Sequence, residues 1–201
     1  MAAPTGKEKS PDSIEQKRDL RRRLDTLRKR QDIDFINTSR WQVANQLRAL
    51  ISRLDLGVIA LYSARDGEVD MESLATELQG LRFTLCLPRV AQRGMPLVFN
   101  LWRPGGWMDS DDLEIPCAAG PEVTPQLVIL PGLGFTREGY RLGFGGGYYD
   151  RTLAEIDPRP ITVMVAYSFQ EVDTLPVEAH DIPVDYIVTE KETIETKPTK
   201  K

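Results

Sequence analysis

The sequence predicts an α/β fold in which a mostly parallel sheet is covered on both faces by helices. Two observations carry this reading. From residue 57 onward, short apolar runs rich in β-branched residues recur at 57–62, 82–87, 96–101, 126–130 and 161–167, the pattern of strands. Helical stretches at 71–78 and 148–156 separate some of them, which implies βαβ crossovers, a largely parallel sheet and a three-layer α/β/α arrangement.

Two helices are predicted ahead of the strands. The first starts near Asp12 or Ser13, either of which can cap it, and carries Ile14, Leu20, Leu24 and Leu27 at near-helical spacing with a basic opposite face. The second starts near Thr38 or Ser39, with Trp41, Ala44, Leu47, Ile51 and Leu54 along one side. Together they are expected to form a helical hairpin.

The chain has 201 residues, 41% hydrophobic and 28% charged, which suits one globular domain. That domain is expected over residues 12–189. Residues 1–11 and 190–201 are rich in Lys, Glu, Thr and Pro and are expected to be tails that add nothing to the fold. A net charge of −4 supplies no general cationic field for nucleic acid, so any anion site has to be built locally. Cys86 and Cys117 have neither metal-type nor disulfide-framework spacing, which points to a reducing compartment. No uncharged apolar stretch reaches eighteen residues and the N-terminus has no apolar leader core, so the expectation is a cytoplasmic protein without a membrane partner, acting as a monomer.

Chemistry concentrates after residue 130. A strand ending at Leu130 leads through Pro131-Gly-Leu-Gly-Phe135 to Arg141-Leu-Gly-Phe-Gly-Gly-Gly-Tyr-Tyr-Asp150 and then to a helix. Glycines at 143, 145, 146 and 147 remove side chains that would hold a ligand away from backbone N–H groups, and they permit positive φ where the chain wraps an anion. The helix N-terminus that follows adds a favourable dipole, so a phosphate is the natural guest. No Lys-Ser or Lys-Thr follows the last glycine, and the glycines do not join strand directly to helix, so this is neither a Walker A loop nor a dinucleotide fingerprint. Arg141 offers a guanidinium for phosphate oxygens, and Asp150 a carboxylate able to hold Mg²⁺. Lys17 and Arg21, four apart on the first helix, can point at one anion.

The segment from Leu130 to Asp150 resembles the signature of the 5-formyltetrahydrofolate cyclo-ligase family. Lys17-Arg-Asp-Leu-Arg21 resembles that family's N-terminal basic pair, Gly67-Glu-Val-Asp70 its acidic folate-side segment, and His180-Asp-Ile-Pro-Val-Asp185 its closing motif. The resemblance runs in order over nearly the whole expected domain. It implies a fold similar to the NagB/RpiA/CoA-transferase-like group. It also implies ATP- and Mg²⁺-dependent conversion of 5-formyltetrahydrofolate to 5,10-methenyltetrahydrofolate, with release of ADP and phosphate.

Carried onto this chain, the resemblance gives the ATP phosphates to Lys17, Arg21, Arg141 and the loop of Gly143, Phe144, Gly145, Gly146, Gly147, Tyr148, Tyr149 and Asp150. Lys17, Arg141 and Tyr148 form the expected catalytic set. Glu68 and Tyr148 are expected on the folate, and Asp150 and Asp185 on Mg²⁺. One departure stands out: some family members have Lys at the position of Gly146, or a basic residue at that of Phe144, and this chain has neither. Phosphate charge then falls to Lys17, Arg21, Arg141 and the metal.

Other features have plainer readings. Arg22, Arg23, Arg28 and Arg30 are read as surface, and the single histidine, His180, as structural. Phe144 is read as a lid residue and Tyr149 as one that also packs, while Trp41, Trp102 and Trp107 are core or rim residues unless they stack on a ring. A non-catalytic folate- or nucleotide-binding relative of the same fold is the alternative, and the acidic balance argues against an RNA-associated module.

Overall fold

The structure is a computed structural model that describes residues 11–65 and 67–196, apart from the side chains of Pro11 and Asp12. In chain order the helices are α1 (Pro11–Lys29), α2 (Ile33–Ile51), α3 (Glu72–Gly80) and α4 (Tyr148–Glu155). The strands of the main sheet are β1 (Val58–Ala60), β2 (Thr84–Arg89), β3 (Val98–Trp102), β6 (Leu127–Pro131), β9 (Ile161–Val165), β10 (Tyr186–Val188) and β11 (Thr193–Glu195). Two short ribbons complete the set, β4 (Met108–Ser110) with β5 (Pro116–Ala118), and β7 (Gly134–Phe135) with β8 (Arg141–Leu142). Among the described residues no helix is long and apolar enough to cross a membrane.

The sheet runs β11-β10-β9-β6-β1-β2-β3. Pairing is parallel from β10 through β2, and the two edge strands, β3 and β11, are antiparallel to their neighbours. Alternation of side chains along the central strands divides the core in two. Ile59, Leu127, Ile129, Val163 and Val165 pack on one face with Val43, Leu47, Leu50 and Ile51 of α2 and Leu74, Ala75 and Leu78 of α3. Ala60, Val128, Leu130 and Met164 face the other way, toward Leu153 of α4. Burial on both faces explains why these strands read as unbroken apolar runs.

The two N-terminal helices differ from their expected form. α2 begins at Ile33, five residues before the expected caps, because the Asp32 carboxylate accepts the Phe35 N–H at 2.8 Å. Its buried stripe is Val43, Leu47, Leu50 and Ile51, while Trp41 lies 68% exposed. α1 does not close a hairpin on α2. Its Leu20 and Leu24 pack with Leu133, Leu142, Val172 and Leu175, so the helix docks on the β7–β8 ribbon. That docking brings its basic residues to the glycine loop.

The C-terminal boundary also needs correction. Residues 190–196, expected to be part of a tail, belong to the fold: β11 pairs with β10 from Tyr186–Glu195 to Val188–Thr193. Glu190 is buried, and its carboxylate accepts the Ser168 N–H at 2.8 Å and the Ser168 hydroxyl. A segment poor in large apolar groups is ordered here by ladder bonds and one buried carboxylate. Residues 1–10 and 197–201 lie outside the described residues, and Pro11, expected in the first tail, is the first residue of α1.

Candidate active site

The carboxyl ends of adjacent parallel strands β1 and β6 open onto the two segments singled out by sequence, a usual place for ligands in α/β sheets. Beyond β6 the chain forms the β7–β8 ribbon and then the glycine loop, which ends at Gly147, the N-cap of α4. Gly145 has φ 100° and Gly147 φ 64°, left-handed conformations that side chains other than glycine's resist. The loop therefore turns sharply and leads its backbone into the helix N-terminus.

Three cations converge on this loop. Arg21 Nε donates to the Gly143 carbonyl at 2.8 Å, and a Cβ on Gly145 would come within 3.4 Å of the Arg21 guanidinium carbon. Burial pulls the Arg21 pKa below its ordinary value, and Asp181 and Glu178 pull it back up. One turn earlier, Lys17 Nζ lies 3.0 Å from Glu178 Oε1 and 3.2 Å from Asp181 Oδ2. Arg141, on β8, is only 6% exposed at its side chain. Its Nη2 donates to Asp150 Oδ1 at 2.7 Å and its Nη1 to the Ile182 carbonyl. The Ile182 N–H donates to the same Asp150 oxygen at 3.1 Å, so the 180s segment is pinned to α4.

These groups line one cleft of about 1730 Å³ together with Gly143, Gly145, Gly146 and Gly147. Asp185 borders it as well, but its Oδ2 is engaged by the Thr162 N–H at 2.8 Å and the Thr162 hydroxyl at 2.7 Å. Among the described residues no three or more His, Cys, Asp or Glu side chains form a metal cluster. Two carboxylates, Asp150 and Asp185, nevertheless border this basic cleft, a donor set that fits Mg²⁺, which typically takes one or two carboxylates and completes its shell with water and phosphate oxygens.

Two arginines not placed in the site by sequence also border the cleft. Arg151 Nη2 donates to the Gly146 carbonyl at 2.7 Å, and Arg159 Nη2 lies 3.4 Å from Asp185 Oδ1. Arg151 had a signal, its position one residue beyond Asp150; Arg159 had none, since only the approach of β10 to β9 brings it near Asp185. His180 stands at the rim, 62% exposed, with Nε2 3.4 Å from Glu178 Oε2. No tryptophan borders this cleft.

Glu68, Phe144, Tyr148 and Tyr149 lie outside that lining. Tyr148 turns toward the loop after β2, where its Oη accepts the Gly94 N–H at 3.3 Å, and a Cβ on Gly146 would come within 2.9 Å of its ring. Tyr149 packs into the second core layer. Burial raises the pKa of its hydroxyl, Glu68 raises it further and Arg141 lowers it, so the Tyr149 hydroxyl is in electrostatic reach of both. The Glu68 side chain is 3% exposed, with Oε2 accepting the Arg65 N–H at 2.8 Å. Desolvation lifts its pKa, against the pull of that N–H and of Arg28 and Arg65.

Arg28 is the clearest correction. Read from sequence as surface, it is 2% exposed and faces Glu68, with Nη1 3.5 Å from Oε1. It also lies against Phe144: its Cζ is 5.5 Å from the Phe144 ring centroid, and that of Arg65 is 5.7 Å away. The lone-helix reading failed because the docking of α1 turns a nominally polar helix face inward.

Most of the chain has recognisable relatives. A model of the 5-formyltetrahydrofolate cyclo-ligase family matches residues 13–190. A 5-formyltetrahydrofolate cyclo-ligase of Haemophilus influenzae is 32% identical over 143 residues, 67% of this chain and 76% of that one. With the cyclo-ligase of Mus musculus the match is a 68-residue stretch at 41% identity, 32% of this chain and about a third (34%) of that protein. The NMR structure of the 5,10-methenyltetrahydrofolate synthetase of Aquifex aeolicus superposes with a TM-score of 0.79 at 31% identity, covering 92% of this chain and 95% of that one. With its sheet order, its glycine loop and a family match spanning nearly all of the described residues, the chain belongs to the 5-formyltetrahydrofolate cyclo-ligase family of enzymes.

Proposed function

We propose that the protein cyclises 5-formyltetrahydrofolate to 5,10-methenyltetrahydrofolate at the expense of ATP, releasing ADP and phosphate. The observation that carries this reading is the convergence of Lys17, Arg21 and Arg141 on one glycine-lined cleft at the N-terminus of α4. A formamide oxygen is a poor leaving group. Transfer of the γ-phosphoryl to that oxygen makes it a good one; attack by the folate N10 on the activated carbon then closes the ring, and phosphate departs. The protein's share of such a transfer is positioning and charge neutralisation.

Lys17 and Arg21 meet the phosphates from α1, while Arg141 meets them from β8. The amides from Gly143 to Gly147 supply N–H donors, and the α4 dipole adds to their pull. Asp150 and Asp185 would hold Mg²⁺, which supplies neutralisation of phosphate charge when bound. Asp150 can hold its Arg141 and Ile182 contacts through Oδ1 and still offer its second oxygen. Glu68 takes the N–H donors of the pterin, with Tyr148 alongside and Phe144 closing over the ring. Cys86 and Cys117 are unbridged and buried, which suits a reducing, cytoplasmic setting.

Purified protein given 5-formyltetrahydrofolate, ATP and Mg²⁺ should develop the near-ultraviolet absorbance of the methenyl product, with one ADP formed per product. Absence of product over a range of pH and metal concentration would overturn the reading.

A further inference from the structure

The ion pair between Arg28 and Glu68 is unusual in what it leaves unmet. Arg28 Nε and Nη1 and Glu68 Oε1 are all buried and have no hydrogen-bond partner among the described residues. The Nη1–Oε1 separation of 3.5 Å marks an ion pair at the outer edge of hydrogen bonding. Buried donors and acceptors are nearly always satisfied, and a buried guanidinium with three of its five hydrogens idle is costly unless something else meets it. Such a pair has the character of a site held ready for a polar guest.

The packing fixes Arg28 in place. Its Nη2 donates to Asp25 Oδ1 at 3.3 Å on the α1 side. Gly67, with φ 74°, lies over its stem, where a Cβ would come within 3.2 Å of Arg28 Cγ and 3.5 Å of its carbonyl oxygen. Phe144 of the glycine loop stands over the guanidinium. One side chain thus ties together α1, the turn after β1 and the loop before α4.

We propose that Arg28 is a positioning residue for the folate, the fixed counter-charge that keeps the buried Glu68 carboxylate ionised and aimed so that its free oxygen can take the pterin N–H donors. The inference rests on the reading that Glu68 contacts the folate. The charged groups that act on Glu68 are Arg28 from α1 and Arg65 from its own turn, and its carboxylate in turn acts on Tyr62 beyond β1, Tyr149 from α4 and Tyr167 beyond β9. The three tyrosines have pKa values raised first by burial and remain neutral at working pH, so the balance falls to two arginines. Of these, Arg65 reaches Glu68 through its backbone N–H as well, a contact that substitution of its side chain leaves in place. Arg28 is therefore the charge whose removal isolates the effect.

The test is the pH profile of kcat/KM for 5-formyltetrahydrofolate in Arg28→Met, Arg28→Lys and Glu68→Gln. Removal of the counter-charge raises the pH at which Glu68 ionises, so the acid limb in Arg28→Met should move up by about one pH unit, with kcat/KM about tenfold lower on the acid limb itself and recovering to the wild-type plateau as pH rises. KM for ATP should be unchanged, and Arg28→Lys should return the limb to its wild-type position. Arg28→Gln is read the same way if the Met variant does not fold. A loss that is equal at all pH values in the neutral variants, or a limb that does not move, overturns the proposal while leaving the folate reading intact. A wild-type KM for the folate in Glu68→Gln overturns the folate reading itself, and this inference with it.

Discussion

Arg141 and Asp150 lie nine residues apart in sequence and meet at 2.7 Å across the base of the glycine loop, with Asp150 Oδ1 shared by the Ile182 N–H. This pair is a brace and, under the proposed function, a binding group as well, since it ties β8, α4 and the 180s segment together at the cleft proposed to take the phosphates.

The two roles separate by substitution. Asp150→Asn keeps an oxygen for both donors and should fold with a stability loss of about 1 kcal/mol, yet turnover should fall about 100-fold or more and cease to saturate with Mg²⁺. Arg141→Met strands the carboxylate and the Ile182 carbonyl, and should cost about 3 kcal/mol in urea unfolding besides abolishing turnover. Full Mg²⁺-supported turnover in Asp150→Asn would remove that residue from the metal site.

Gly145 tests the loop conformation alone. An alanine there would be held at φ 100°, a backbone region worth about 1–3 kcal/mol of strain, with its Cβ in van der Waals contact with the Arg21 guanidinium at 3.4 Å. Gly145→Ala should raise KM for ATP by about tenfold and lower Tm by a few degrees, with KM for the folate unchanged. Steady-state kinetics with each substrate varied in turn decides it.

Lys17 is held by Glu178 and Asp181 at 3.0 and 3.2 Å, so its ammonium is already fixed at the cleft wall. Lys17→Met should raise KM for ATP by about 10- to 100-fold, the scale of one lost charge-assisted contact to phosphate, without altering KM for the folate. Equal loss for both substrates would mean that α1 had shifted and that Lys17 acts through packing.

Glu68 also leaves a mark on stability. Desolvation puts its folded pKa above the ordinary value of 4.5, so between 4.5 and that raised value the folded protein holds a proton that the unfolded chain has released. Stability from this group is present below pH 4.5 and is lost as pH rises through the folded pKa. Urea unfolding across the weakly acidic range should show that falling component, and Glu68→Gln should remove it whichever way the absolute stability moves. An unchanged slope in the variant would mean that the carboxyl titrates as in the unfolded chain.

Much of the fold was legible because local chemistry and tertiary context agree. Strands β1, β2, β6 and β9 read as apolar runs because both their faces are buried, and α3 and α4 read as helices between them. The Asp32 cap was missed because the Trp41 stripe drew the start of α2 toward Thr38, when burial follows Val43 and Leu47 and leaves Trp41 in solvent. Strand β11 was missed because its sequence has little apolar content and its order comes from pairing with β10.

By itself the sequence determined the α/β class, the glycine loop that bends into a helix N-terminus, and the basic turn of Lys17 and Arg21. Each is a property of a few neighbouring residues: apolar periodicity, missing Cβ atoms, two cations one helical turn apart. Only the tertiary structure decided that α1 packs on the β7–β8 ribbon, which turns Arg28 inward against Glu68 and Phe144. Only it divided the loop between a basic cleft and a buried carboxylate, with the Tyr149 hydroxyl in electrostatic reach of both Glu68 and Arg141. Burial of a charge depends on which distant surface closes over it, and that is set by the packing of the whole chain rather than by the residues on either side.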